Sequence, residues 1–271
     1  MPGRVDYSKQ AESYDRTRAA SPSVVEPLRR CLSTAPGRRL LDVGGGTGNY
    51  AIALRDEAGF DPVVVDASPA MVRRATEKGL AAMVADAEDL PFPNERFDAV
   101  TMISMLHQVV DWRLALAEAR RVLVPGGNLA VKGFARENLG PAHWLFDYFP
   151  SARRWMEEEH QTVDEIRAEL PGSRMIQVRY TDLADRSMAA LCREPELLLD
   201  EASRTNNSFF QRLQRDNPGE LAIGLADLWR DLTGGRRPHE EMTTERARGI
   251  WGDAIVVCWT KPGGAQRRGA R

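Results

Sequence analysis

Leu40-Leu41-Asp42-Val43-Gly44-Gly45-Gly46-Thr47-Gly48 is the stretch that decides the fold. An apolar strand, Arg39 to Val43, carries one carboxylate and runs directly into a glycine cluster. Glycines at a strand-to-helix junction tolerate positive φ and let backbone amides approach a ligand closely. In an open parallel sheet, ligands bind beyond the carboxyl ends of the strands, where the strand order reverses. A glycine turn alone proves little, so its surroundings must carry the reading.

Outward from the loop, short apolar runs alternate with amphipathic stretches, which is the pattern of parallel βαβ units. Strands are predicted at Arg39 to Val43, Pro62 to Val65, Ala81 to Val84, Phe97 to Ser104 and Asn128 to Phe134. Val63-Val64-Val65 is continuously apolar, as a strand covered on both faces must be. Ser68-Pro69 is an N-cap followed by a first-turn proline; Met71, Val72 and Ala75 form a buried stripe, and Gly79 is the stop. Asp111 likewise opens a helix with Trp112, Ala115, Leu116, Ala119 and Leu123 on one side, and Pro125-Gly126-Gly127 turns the chain into the fifth strand.

After Phe134 the rhythm changes. Helices are predicted over Pro141 to Glu159, Thr162 to Leu170, Glu196 to Gln214 and Glu220 to Leu232, with strands at Met175 to Tyr180 and Ala254 to Thr260. The late helices read as insertions around the last strands, forming a lid over the strand ends. One domain is expected, with N-terminal covering helices (1–36), a cofactor-binding core (37–134), last strands with helical insertions (135–261) and a disordered tail (262–271).

Nucleotide loops fit poorly. A dinucleotide fingerprint starting at Gly44 needs glycine or alanine where Asn49 stands, and a Walker loop needs Lys-Ser or Lys-Thr after Gly48. Asp42 would repel phosphates but attract an ammonium. Among common adenosyl cofactors, S-adenosylmethionine carries that ammonium and has no phosphate. Asp66 ends the second strand, where a carboxylate accepts both hydroxyls of a ribose, and Asp86 follows the third, placed for an adenine amine. Each has a plainer reading as a turn or strand-end aspartate; three in succession beside the loop point to a site.

At this point the sequence resembles the class I S-adenosylmethionine-dependent methyltransferases, especially the branch with the ubiquinone/menaquinone C-methyltransferases and many natural-product enzymes. The stretches that carry the resemblance are LLDVGGGTG, VVVDASPAMVRRA, VADAEDLPFPNERFDAV, SMLHQVVDWRLALAEARRVLVPGGNLAV and the opening YSKQAESYD. The resemblance implies a Rossmann-like α/β fold: a mostly parallel seven-stranded sheet with an antiparallel last strand, helices on both faces and a helical lid. It also implies that Asp42, Gly44 and Gly46 meet the methionine part of the cofactor and Asp66 its ribose. Ala67 and Met71 would flank the adenine, Asp86 and Ala87 would meet its edge, and the Ser104 backbone would take the ammonium. Tyr7 and Tyr14 match a covering helix, and Arg18 is placed for the cofactor carboxylate. His107-Gln108 departs from the His-His of many relatives, and the segment after the fourth strand lacks the Asn/Asp-Pro-Pro-aromatic signature of amino-methylating DNA enzymes.

Composition bounds the acceptor. The 271 residues carry a net charge of −2, which leaves no basic footprint for nucleic acid. No apolar run approaches the roughly 20 residues of a membrane span. The opening six residues lack the apolar segment of a signal peptide, so a cytoplasmic setting is expected. Cys31, Cys192 and Cys258 are widely spaced, and the four histidines form no ligand pattern, so no metal site is expected. A small, largely apolar or aromatic acceptor is expected under the Trp144 to Trp155 stretch, facing His107, His143 and Tyr148, with core packing as the plainer role for Phe146 and Phe149. His107 and His160 are the candidate bases, although three neighbouring glutamates, Glu157 to Glu159, are expected to raise the pKa of His160. A cofactor-binding protein without turnover and a nicotinamide oxidoreductase are the alternatives.

Overall fold

The structure, a computed structural model, describes residues 11–139, 143–238 and 250–263. Tyr7 and almost all of the 262–271 tail lie outside the described residues. Seven strands form one sheet: β1 (Arg39–Val43), β2 (Asp61–Asp66), β3 (Ala81–Val84), β4 (Phe97–Ile103), β5 (Leu123–Gly133), β6 (Arg174–Val178) and β7 (Ala254–Thr260). Their order is β3-β2-β1-β4-β5-β7-β6. β1 to β5 are parallel, and β7 runs antiparallel between β5 and β6. The order reverses between β1 and β4, which opens a crevice at their carboxyl ends.

Helices cover both faces, which is why the central strands are apolar without alternation. On one face Leu41, Val43, Val100, Met102 and Leu129 pack with Ala115, Leu116 and Ala119 of the Trp112–Val122 helix. On the other, Leu40, Ala99, Ala130 and Val256 pack with Val24, Leu28 and Leu32 of the Pro22–Leu32 helix. The expected caps are present: Ser68 Oγ accepts from the Met71 amide at 3.4 Å, and Asp111 Oδ1 from the Arg113 and Leu114 amides at 3.0 and 3.1 Å.

The lid departs from the sequence reading. The helix expected over Pro141 to Glu159 is broken into Leu145–Tyr148 and Pro150–Glu159. Phe149 sits at φ −132°, ψ 67°, because a residue before proline is forced out of the helical region. The helix expected over Glu196 to Gln214 is a 3₁₀ turn at Pro195–Leu199 and two helices, Glu201–Thr205 and Ser208–Asp216. Asp200 and Asn207 cap those two helices with their side chains, restarting the chain each time. With the Pro218–Thr233 helix these segments build their own core around Phe149, Phe209, Phe210 and Leu228.

Candidate active site

A cavity of about 730 Å³ opens at the β1–β4 switch point and runs beneath the lid. Its floor begins at Asp42, which is 1% exposed. The register sets Asp42 beside Thr101 of β4, whose hydroxyl donates to Oδ1 at 2.7 Å. Oδ2 is buried with no hydrogen-bond partner. Gly45 is what admits this carboxylate, since a Cβ there would sit 2.6 Å from Oδ2. Burial pushes the Asp42 carboxyl up to about 7, against the Thr101 hydrogen bond and with help from Asp66.

A pH dependence follows. Between about pH 4 and about pH 7 the folded state holds a proton on Asp42 that the unfolded chain has released, so stability falls as pH rises. His160, held down at about 4, acts oppositely over an overlapping window, losing stability as pH falls. Asp42→Asn isolates the first effect. Melting temperatures of wild type and variant, compared at about pH 5 and about pH 8, are expected to show a smaller acid-to-neutral loss in the variant. Equal losses would mean that Asp42 is ionised throughout.

The other predicted donor-side residues converge on the same cavity. Gly44 and Gly46 take φ of +66° and +57°, a conformation that favours glycine. The Gly46 amide donates to Asp66 Oδ2 at 2.9 Å and the Ser68 amide to Oδ1 at 2.8 Å, which ties the loop to the end of β2. Burial nonetheless raises the Asp66 carboxyl above its usual range, the two amides opposing it. Ala67 and Met71 line the cavity beside Asp66, and Asp86 and Ala87 line it past the end of β3. Asp86 Oδ1 caps its own turn by accepting from the Glu88 amide at 3.1 Å. Ser104 holds φ +54°, uncommon for a residue with a side chain, and its amide donates to the Lys132 carbonyl at 2.8 Å.

Tyr14 and Arg18 cover this half, the guanidinium lying 5.4 Å from the Tyr14 ring. Arg18 Nε donates to Asp185 Oδ1 at 2.8 Å. Asp15, which sequence reasoning passed over, anchors the covering segment to the glycine loop. It accepts from Thr47 at 2.5 Å, Asn49 at 3.0 Å and Lys78 at 2.6 Å. Asn49, where a dinucleotide fingerprint needs a small residue, thus serves as a strut.

On the acceptor side the predicted residues divide. His107 and His160 line the cavity and stack on each other, ring centres 4.8 Å apart and planes 10° apart. His160 Nδ1 donates to the Met156 carbonyl at 2.9 Å, leaving Nε2 as the lone-pair nitrogen. Burial lowers His160 to about 4. The expected rise from its glutamate neighbours is therefore corrected: His160 is 7% exposed, and burial, with the Arg136 charge adding to it, outweighs the Met156 hydrogen bond that favours the charged form. Burial also takes His107 well below its ordinary value, with His160, Lys132 and Arg18 adding to the effect.

His143 and Tyr148 do not line the cavity. The Tyr148 hydroxyl donates to Asp231 of the Pro218–Thr233 helix at 2.5 Å, and His143 Nδ1 accepts from the Leu145 amide at 3.3 Å. Of the aromatic stretch only Trp155 reaches the cavity; Trp144, Phe146 and Phe149 belong to the lid core. Lys132, Tyr50, Asp185 and Arg212 also line it. These four gave no sequence signal, because their partners lie far away along the chain.

Residues 41–131 match the methyltransferase domain family. Over those residues the chain carries a methyltransferase domain. A ubiquinone/menaquinone biosynthesis C-methyltransferase UbiE from Bordetella avium is 42% identical over 123 residues, which is 42% of this chain and 48% of that protein. The chain thus spans about half the length of the curated relatives it matches. A putative methyltransferase from an antibiotic biosynthesis pathway of Anabaena variabilis superposes with a TM-score of 0.75 at 24% identity, covering 90% of this chain and 99% of that one. The [4+2]-cyclase SpnF superposes at 0.59 with 19% identity over 95% and 94%. At those identities the superpositions speak for the fold, including the lid, so the chemistry of this methyltransferase domain rests on its site.

Proposed function

We propose that the protein transfers a methyl group from S-adenosylmethionine to a small, largely apolar or aromatic acceptor. The observation that carries this reading is the single cavity that joins the carboxylates of the glycine-loop half to the apolar wall of the lid. The donor half suits the cofactor: Asp42 presents a buried, unpartnered oxygen suited to an ammonium, and the glycine turns leave the loop side-chain-free.

In this reading Asp42 and the Ser104 backbone hold the ammonium, Arg18 the carboxylate and Asp66 the ribose hydroxyls. Ala67, Met71, Asp86 and Ala87 hold the adenine. The bound cofactor supplies a methyl group already activated on a sulfonium. What remains for the protein is orientation and exclusion of water, worth roughly 7–11 kcal/mol of barrier at best. Phe134, Met156 and Phe209 supply the apolar wall. His107 and His160, neutral at pH 7, offer acceptor nitrogens that position a proton-bearing group; their lowered basicity suits that role better than strong base catalysis.

Calorimetric titration with S-adenosylhomocysteine and with NAD tests the reading. Binding of S-adenosylhomocysteine alone is expected; preference for NAD would replace the proposal with the oxidoreductase reading. Release of S-adenosylhomocysteine from S-adenosylmethionine in the presence of an acceptor separates an enzyme from a binding protein.

A further inference from the structure

Three cations line the cavity: Arg18, Lys132 and Arg212. Two are paired with carboxylates, Arg18 with Asp185 at 2.8 Å and Arg212 with Glu159. Lys132, at the end of β5, is 3% exposed, and among the described residues no carboxylate lies within ion-pairing distance of it. Its Nζ donates to Ser104 Oγ at 2.9 Å and stands 5.7 Å from the centre of the Tyr180 ring. Asp185, the nearby anion on this side, is committed: Oδ1 accepts from Arg18 and Oδ2 from the Tyr50 hydroxyl at 2.7 Å.

An ammonium carries three donors, and a buried charge is costly unless it is paired. The surroundings register the excess positive field. Lys132 and Arg18 both help to hold His107 unprotonated, and Lys132 favours the ionised forms of Tyr14 and Tyr180 against burial. Phe134 and Met156 line the same cavity as Lys132.

We propose that Lys132 is the specificity-determining residue of the acceptor half, and that the acceptor is an apolar small molecule with one deprotonated oxygen, phenolate or carboxylate, held by the Lys132 ammonium. This rests on the methyltransferase reading of the cavity.

The test uses the full chain saturated with S-adenosylhomocysteine and three probes: 4-nitrophenol, its neutral ether 4-nitroanisole, and benzoate. Ionised 4-nitrophenol is expected to bind at least about tenfold more tightly than 4-nitroanisole. Its ionisation, read from the phenolate absorbance, is expected to move to lower pH when bound. The benzoate titration tells whether a carboxylate or a phenolate suits the site better; tight binding of either supports the assignment. Lys132→Met should abolish both the preference and the spectral shift while keeping S-adenosylhomocysteine affinity, and Lys132→Arg should retain them.

The proposal is overturned by a wild-type protein that binds S-adenosylhomocysteine but shows no preference for the anions, an outcome that needs no folded variant. It is also overturned if the preference survives in Lys132→Met. Loss of S-adenosylhomocysteine affinity in that variant would reassign Lys132 to the cofactor carboxylate. Absence of S-adenosylhomocysteine binding in the wild type would instead bring down the methyltransferase reading on which the proposal stands.

Discussion

Asp66→Ala is expected to weaken S-adenosylhomocysteine binding roughly tenfold to a hundredfold by calorimetry, the loss typical of a hydrogen bond to a charged group. Asp66 has two jobs. Its oxygens hold the Gly46 and Ser68 amides, so removing the carboxylate loosens the glycine loop as well as removing the proposed ribose contact. Asp66→Asn keeps the shape but turns one oxygen into a donor facing one of those amides, so it should lose nearly as much. The fold should survive both changes, because Asp66 is only partly buried and contributes nothing to the apolar cores. Wild-type affinity in both variants would remove Asp66 from the site.

Gly224→Val is expected to unseat the lid. A Cβ at Gly224 would stand 2.3 Å from the Tyr148 carbonyl oxygen and 2.5 Å from the Phe149 ring. Neither yields easily: one is backbone, and Phe149 is fully buried at the centre of the lid core. Overpacking of this kind costs roughly 1–3 kcal/mol, with the upper end expected where backbone is the obstacle. Urea denaturation followed by tryptophan fluorescence should show an earlier transition, since Trp144 and Trp155 both sit in the lid. Acceptor-side binding should fall more than binding of S-adenosylhomocysteine, whose predicted contacts all lie in the sheet half or the covering segment. An unchanged midpoint would mean that the helices separate at this crossing without cost.

The half of the molecule that was legible in the sequence is the half whose structure is set locally. Ser68-Pro69 and Asp111 announce their helices through caps within three residues, and β1, β2 and β4 are apolar because both faces are covered. The donor-side aspartates stand at strand ends, so their convergence follows from topology alone. The lid was legible in composition but not in form. Pro150 broke a helix that periodicity carried through, and Tyr148 found Asp231, 83 residues away. Lys132 was hidden for the same reason. Within Val131-Lys132-Gly133 it reads as a strand-end surface lysine, and only the arrival of Ser104 and Tyr180 makes it a buried cation.

Phe134 packs against both the sheet core that holds the Pro22–Leu32 helix and the separate aromatic core of the lid; among the described residues no other side chain belongs to both. It also meets the His160 ring edge-on at 5.9 Å. The two apolar cores therefore meet at one ring, two residues beyond Lys132. A compound under the lid and a donor at the strand ends would share this ring as a wall of one cavity. Whatever factor one ligand adds to the affinity of the other must be returned in equal measure, so the order in which the two arrive leaves the final complex equally stable.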